Sequence, residues 1–280
     1  MSNLVAQHSS GHDDSERLRE MNEKTDVIGL LGGMSWESTA TYYRALNTLA
    51  AQRLGGHHNA RSLLYSFDYD ELLTWGSAGE WDKVTSALVA AARMLEDSGV
   101  AFVLLTANTA HVAADAVEAA LRVPLLHIAD PTGQAITELG LTRVGLIGTR
   151  FAMELEFLTG RLKYRHGLDV RVPAANDRDR LHTIIVDELT LGEISADSRT
   201  AVLDIAQRLV DDGAEGIIIG CTELPLLLED KDYPVPAFDT TKLHVAAAID
   251  LSLGSPPAAH QPRTARRRVI STPGTDPGQD

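Results

Sequence analysis

Gly216-Ile217-Ile218-Ile219-Gly220-Cys221-Thr222-Glu223-Leu224-Pro225 is an apolar run that stops abruptly at small and polar residues, and it carries the one cysteine of a 280-residue chain. A short apolar run bounded by turn residues reads as a strand buried on both faces, as in a parallel sheet. Its thiol stands where the strand ends and a loop begins. A second stretch, Gly99-Val100-Ala101-Phe102-Val103-Leu104-Leu105-Thr106-Ala107-Asn108-Thr109-Ala110-His111, has the same layout but carries Ala107 where the thiol would be. Each of these two positions lies eight residues past a glycine that ends a helix, Gly99 or Gly213. They are equivalent by position and unequal in chemistry.

Outward from these runs, short apolar segments alternate with amphipathic ones, the pattern of a parallel sheet covered by helices on both faces. Strands are expected over 27–31, 62–67, 102–106, 125–127, 143–147, 170–172, 216–219 and 235–238. Helices are expected over 35–53, 82–98, 109–120, 132–138, 152–164, 177–188, 198–212 and 240–251. Ser35 is placed to cap the first helix, with Glu37 in the first turn, where the helix dipole favours a negative side chain. Val27 to Met34 opens one half of the chain and Val144 to Arg150 opens the other. From the glycine turn to the later strand end the two halves run 75 residues (Gly32 to Ala107) and 73 residues (Gly148 to Cys221). The expected fold is therefore α/β: two pseudo-twofold-related lobes, each a parallel sheet flanked by helices, with the active site in the cleft between them. The boundaries read as a mobile arm over 1–25 (with a helical turn over 15–24), a first lobe over 26–124 and a second over 125–239. A helix over 240–252 returns to the first lobe, and a Pro-rich disordered tail covers 253–280.

Composition narrows the function classes. Hydrophobic residues make up 44% and charged residues 23%, enough for an ordinary core. The net charge of −14 is spread along the chain, which argues against nucleic acid and anionic membrane surfaces as partners. Arg266-Arg267-Arg268 is the exception, and in its Pro/Gly/Thr-rich setting it reads as part of a solvated terminus. One cysteine makes no internal disulfide, and no apolar stretch nears the roughly 20 residues that span a bilayer. The expected location is cytoplasmic.

Gly32-Gly33-Met34-Ser35, between a strand and a helix, lacks the full G-x-G-x-x-G spacing of a dinucleotide site. Its free backbone N–H groups suit the carboxylate of a small organic acid. Cys221 has three readings: a buried space-filler, a nucleophile, or a carbon acid and base. A nucleophile needs a histidine partner with an orienting group, for which His111, His127 and His244 are the candidates. His127-Ile128-Ala129-Asp130 and Asp239-Thr240-Thr241-Lys242-Leu243-His244 lack metal-ligand spacing, so no metal is expected. Arg61, before the second strand, is either a surface charge or a fork for a substrate carboxylate.

These motifs, in order, resemble the aspartate/glutamate racemase superfamily. Ile217 to Pro225 resembles its second-cysteine motif, and Gly29 to Thr39 the opening of its aspartate racemase branch. Asn108-Thr109-Ala110-His111, His127 to Asp130, Gly148 to Glu154 and Asp239-Thr240-Thr241 continue the likeness over about 27–251. The resemblance implies a cofactor-independent isomerase without pyridoxal phosphate, a small carboxylate or amino-acid substrate, and a homodimer. In that family two facing residues, usually both cysteines, flank the α-carbon, since inversion through a planar carbanion is easiest with an acid and a base on opposite sides. Thiols suit the task when the site lowers their pKa from about 8.5.

Carried over by position, Cys221 is the catalytic residue, and Asn108, Thr109, Thr149 and Thr222 bind the carboxylate. Met34 and Ser35 wall the cleft, and Arg61 matches a family arginine that contacts substrate. Ala107 stands in the place of the first cysteine and has no proton to trade, and Leu191 stands where many aspartate racemases carry lysine. Thr106, His111 or a water are then left to serve the opposite face. The expected activity is racemisation by a single cysteine acid/base. Two alternatives stand beside it: a decarboxylase, lyase or cyclase on a small carboxylic acid, like the related arylmalonate decarboxylases, and a non-catalytic carboxylate-binding descendant.

Overall fold

Two four-stranded sheets, both wholly parallel, carry the chain in a computed structural model whose described residues are 25–254. The arm expected over 1–25 and the tail over 253–280 lie, apart from their innermost residues, outside the described residues. In the first sheet the strands are β1 (Ile28–Gly32), β2 (Ser62–Ser66), β3 (Phe102–Leu105) and β4 (Leu125–Leu126), in the order β2-β1-β3-β4. In the second they are β5 (Arg143–Gly148), β6 (Asp169–Arg171), β7 (Gly216–Gly220) and β8 (Ala237–Asp239), in the order β6-β5-β7-β8. The orders match strand for strand, so the chain is built from two copies of one unit.

The central strands are short apolar runs because helices cover both faces: β1 and β7 are buried at every position. Helix α1 (Trp36–Leu54) starts at Ser35, whose Oγ accepts the Ser38 N–H at 3.3 Å, and buries Tyr42, Leu46 and Ala50 on the sheet. Further helices are α2 (Tyr69–Ser77), α3 (Trp81–Asp97), α4 (Ala114–Ala120), α5 (Ala129–Glu138), α6 (Arg150–Glu154), α7 (Glu156–His166), α8 (Ala175–Thr183), α9 (Ala196–Asp211), α10 (Leu224–Leu227) and α11 (Thr240–Ser252). Asp239 caps α11 by accepting the Thr241 and Lys242 N–H groups at 2.9 and 3.1 Å. Val245, Ala248 and Ile249 then pack with Ile28, Leu30, Tyr42 and Leu46 against the first sheet. Each such fully buried Leu or Ile adds roughly 1.5–3 kcal/mol. The helix that leaves the second sheet is thus bound to the first, and Ser252 Oγ closes the circuit on the Asp26 carbonyl at 2.9 Å.

Several local expectations are corrected. Leu125 and Leu126 pair with Val103 and Leu104, so they close the first sheet instead of opening the second lobe. The segment 109–120 begins as a 3-10 turn (Thr109–Ala113), 152–164 is broken at extended Leu155, and 177–188 ends in a π turn (Ile184–Glu188). Helix α2 was not expected, since Leu72 is the single residue it buries. Among the described residues no helix is long and apolar enough to cross a membrane.

Candidate active site

Residues that follow the C-terminal ends of five strands, β1, β2 and β3 in the first lobe and β5 and β7 in the second, wall one cavity of about 1020 Å³. The register makes Ala107 and Cys221 equivalent. Leu31 pairs with Leu105, which puts Thr106 level with Gly32 and Ala107 one step beyond; Gly148 pairs with Gly220, and Cys221 is one step beyond.

The turn after β1 explains its glycines. Gly33 has φ +85°, and a Cβ there would run into the backbone N and O of Phe67. Its N–H donates to Thr39 Oγ1 at 2.8 Å, and Thr39 Oγ1 in turn donates to the Ser35 carbonyl at 2.9 Å. Ser38 Oγ donates to the Thr106 carbonyl at 2.6 Å, and Thr106 Oγ1 donates to the Leu31 carbonyl at 3.2 Å. This latch holds Met34 and Ser35 in the cavity wall. Thr149, which caps α6, and Thr109 join them there.

Cys221 is 4% exposed and lies just behind the wall, while Glu223 is in it. The Cys221 thiol donates to Glu223 Oε2 at 2.8 Å, and the Glu223 N–H donates back to Sγ at 3.4 Å. Thr222 Oγ1 donates to Glu223 Oε1 at 2.8 Å, so the two neighbouring side chains hold both carboxylate oxygens. The expected lowering of the thiol pKa is corrected. Burial above all, then the Glu223 charge, pushes it well above the ordinary value, against a smaller pull from the Glu223 and Leu224 amides. The resting thiol is protonated and its proton already faces a carboxylate.

The other wall carries the Ala107 methyl, with Ala110 beside it. Neither group expected to serve that face reaches the cavity. Thr106 is fully buried with its hydroxyl spent on Leu31 and Thr39. His111 points its Nδ1 at the Ala107 and Asn108 carbonyls, at 3.0 and 3.2 Å, and its Nε2 accepts the Ile128 N–H at 3.2 Å. That pattern assigns it the neutral Nδ1–H tautomer. His127 and His244 complete a packed cluster, with ring centroids 4.5 and 5.8 Å from His111. Tyr42 Oη is 3.0 Å from His244 Nδ1, whose Nε2 meets the Leu126 carbonyl at 2.8 Å, and Ala129 N–H donates to His127 Nδ1 at 3.1 Å. Burial first, then the neighbouring positive charge, pushes His111 down to about 3; burial takes His244 down to about 4, and His127 also falls. These histidines are structural and neutral, and none is the partner of Cys221.

Arg61 is also corrected. It precedes β2, so it sits at the opposite edge of the parallel sheet from the cavity, and its Nη1 donates to the Thr25 carbonyl at 3.1 Å. Asn108 is buried behind the wall with Nδ2 donating to Thr240 Oγ1 at 3.2 Å. Leu191 is 71% exposed and outside the wall, though Thr190 and Gly192 are in it.

The wall residues to which the sequence reading gave no role include Glu223, Asp68, Trp81, Phe151 and His182. Glu223 had a signal, since it stands two residues past the cysteine on the same strand end. His182 Nδ1 accepts the Arg150 N–H at 3.4 Å, and burial, followed by Arg150, lowers its pKa. Among the described residues no three His, Cys, Asp or Glu side chains converge as metal ligands.

Comparison with known proteins places this geometry. The model of the Asp/Glu/hydantoin racemase family matches residues 31–248. A broad-specificity amino-acid racemase of Bacillus subtilis (strain 168) is 24% identical over 230 residues, covering 77% of this chain and 93% of that one. Among solved structures, a candidate Asp/Glu racemase from Yersinia pestis is 44% identical with a TM-score of 0.78, covering 81% of this chain and 99% of that one. An aspartate racemase homologue from Pyrococcus horikoshii OT3 is 30% identical with a TM-score of 0.73 over the same shares. The two-lobed fold is that of these neighbours.

Proposed function

The chain belongs to the Asp/Glu/hydantoin racemase family, and on that premise we propose that it is a cofactor-independent, amino-acid racemase-like isomerase that moves a proton at the carbon next to a carboxylate, with Cys221 as its acid/base residue. The observation that carries this reading is the 2.8 Å hydrogen bond from Cys221 Sγ to Glu223 Oε2 at the cavity wall. In the resting site the thiol is neutral and Glu223 is its acceptor. On substrate binding the thiol proton passes to Glu223, which turns aside and leaves the thiolate facing the α-carbon. The C–H bond then breaks, its proton goes to sulfur, and its electron pair spreads into the substrate carboxylate as an enediolate. Hydroxyls of Ser35, Thr109 and Thr149 in the wall stabilise that charge, while Asn108 and Thr222, expected to join them, are bonded to Thr240 and Glu223 instead. Return of the proton from sulfur restores the starting configuration, whereas inversion takes a proton from water on the Ala107 side. A sulfur-bound proton that swaps with solvent before it returns gives exchange with retention, which outruns inversion; after inversion the hydroxide left by the water takes up the sulfur proton and restores the thiolate. The protein works in the cytoplasm as a homodimer on this reading, supported by the lone thiol and the family.

The methyl of Ala107 favours a second reading in which one proton is delivered to one face, as in a decarboxylase or other lyase acting on a small carboxylic acid. Incubation with amino acids in deuterated water, followed by proton NMR of the α position, tests the first reading. The wild type should exchange the α-proton and Cys221→Ser should lose at least about 100-fold of the rate, the lower bound for a general acid/base. Equal rates in both proteins, or no exchange with any amino acid, would remove the assignment; release of carbon dioxide from a substituted malonate would install the second reading instead.

A further inference from the structure

We infer that the substrate of this cavity is an α-amino acid with a bulky apolar or aromatic side chain rather than an acidic one, an inference that rests on the carbon-acid reading above. The first ground is the charge of the wall. Its acidic side chains are Glu37, Asp68 and Glu223, and no Lys or Arg is among the residues that line it. A carboxylate on the substrate side chain, as in aspartate, would be taken from water to a place with carboxylates and no cation, the least favourable setting for a buried anion. Arg61 is at the far edge of the first sheet, and the exposed Leu191 lies outside the wall. The substrate ammonium, by contrast, finds opposite charge there.

The second ground is shape. Leu72, Trp81 and Val84 from the first lobe extend the apolar surface begun by Ala107 and Ala110, and Phe151 meets them from the second lobe. The Trp81 and Phe151 rings are edge to face with centroids 6.0 Å apart, so aromatic contact spans the cleft between lobes. At about 1020 Å³ the cavity lies at the top of the range for small-molecule sites, with room far beyond a four-carbon diacid. An apolar side chain covers that surface; an acidic one leaves it wet.

Binding separates this inference from the reading beneath it. Trp36 and Trp81 both line the cavity, so quenching of tryptophan fluorescence in the full chain reports ligand entry without turnover. L-phenylalanine should bind at least tenfold more tightly than L-aspartate. Phe151→Ala should reduce that preference to threefold or less, and Leu73→Arg, a change at an exposed wall position, should shift it at least tenfold toward aspartate. Tighter binding of aspartate, or binding of neither amino acid, would overturn the inference. Preferential binding of phenylalanine without exchange of its α-proton supports the inference and removes the carbon-acid reading. Faster exchange of aspartate than of phenylalanine does the reverse.

Discussion

Replacing Glu223 by glutamine separates two properties of Cys221 that usually change together. The substitution keeps the size and both polar positions of the side chain, so the Thr222 hydroxyl and the Cys221 thiol still find hydrogen-bond partners at the positions now 2.8 Å away. What disappears is the negative charge and with it the ability to take up the thiol proton. A hydrogen bond to a charged acceptor is worth about 1.5–3 kcal/mol, against about 0.5–1.5 for a neutral one, and a positioned acid/base contributes about 10²–10⁴ in rate. Exchange of the substrate α-proton in deuterated water should therefore fall about 100-fold. The thiol pKa should move the other way from what that loss suggests. Burial keeps it above the ordinary value, but the Glu223 charge is the second cause of its rise, so removing that charge lowers it. Alkylation of Cys221 by iodoacetamide across pH should show its inflection at lower pH in Glu223→Gln than in the wild type, in the same protein that exchanges slowly. Exchange within threefold of the wild type, or an inflection that stays put or rises, would refute a carboxylate that both charges against and accepts from this thiol.

Three further outcomes follow from the geometry. Ala107→Cys puts a proton-bearing group on the bare wall, and polarimetry should then show inversion of the substrate rising to the rate of α-proton exchange; unchanged inversion means the wall is not where the second proton enters. His111, His127 and His244 have folded pKa values below the ordinary imidazole value of about 6.5, so their stabilisation is complete above that pH and is lost as pH falls toward about 4 and about 3. At pH 5 each histidine that stays neutral costs about 2 kcal/mol relative to pH 7, which urea unfolding at the two pH values will detect as a lower midpoint at pH 5. Gly33→Ala combines a positive φ with a Cβ driven into the Phe67 backbone, and should lower Tm by about 4–8 °C for a cost near 2 kcal/mol; a Tm within 1 °C of the wild type contradicts the close approach.

The two sheets were readable from sequence because strands of a parallel sheet are apolar along their length, and the spacing of glycine turns revealed that one unit occurs twice. Strand β4 was assigned to the wrong lobe because two leucines carry no pairing preference of their own; Val103 decides it through the ladder. Helix α2 escaped because a helix that buries one leucine has almost no periodic signal. At the site, the strand-end positions were readable, but the side chains behind them were not. Thr106 and His111 sit beside Ala107 in sequence, yet one faces the β1 ladder and the other turns back on the main chain. Arg61 could have been set aside from sequence, since a residue before a parallel strand lies at the edge away from the strand ends. Trp81, Phe151 and His182 reach the wall on helices whose docking depends on long-range packing, which no local pattern encodes.

The central claim, that Cys221 removes and returns the α-proton on its own face faster than water delivers one from the Ala107 side, is tested most directly by the configuration of the deuterated amino acid formed in the first turnovers in deuterated water. Product carrying deuterium with its original configuration, at a rate abolished by Cys221→Ser, is the predicted result. Deuterium appearing equally in both enantiomers from the first turnover, or at an undiminished rate without the thiol, would contradict it.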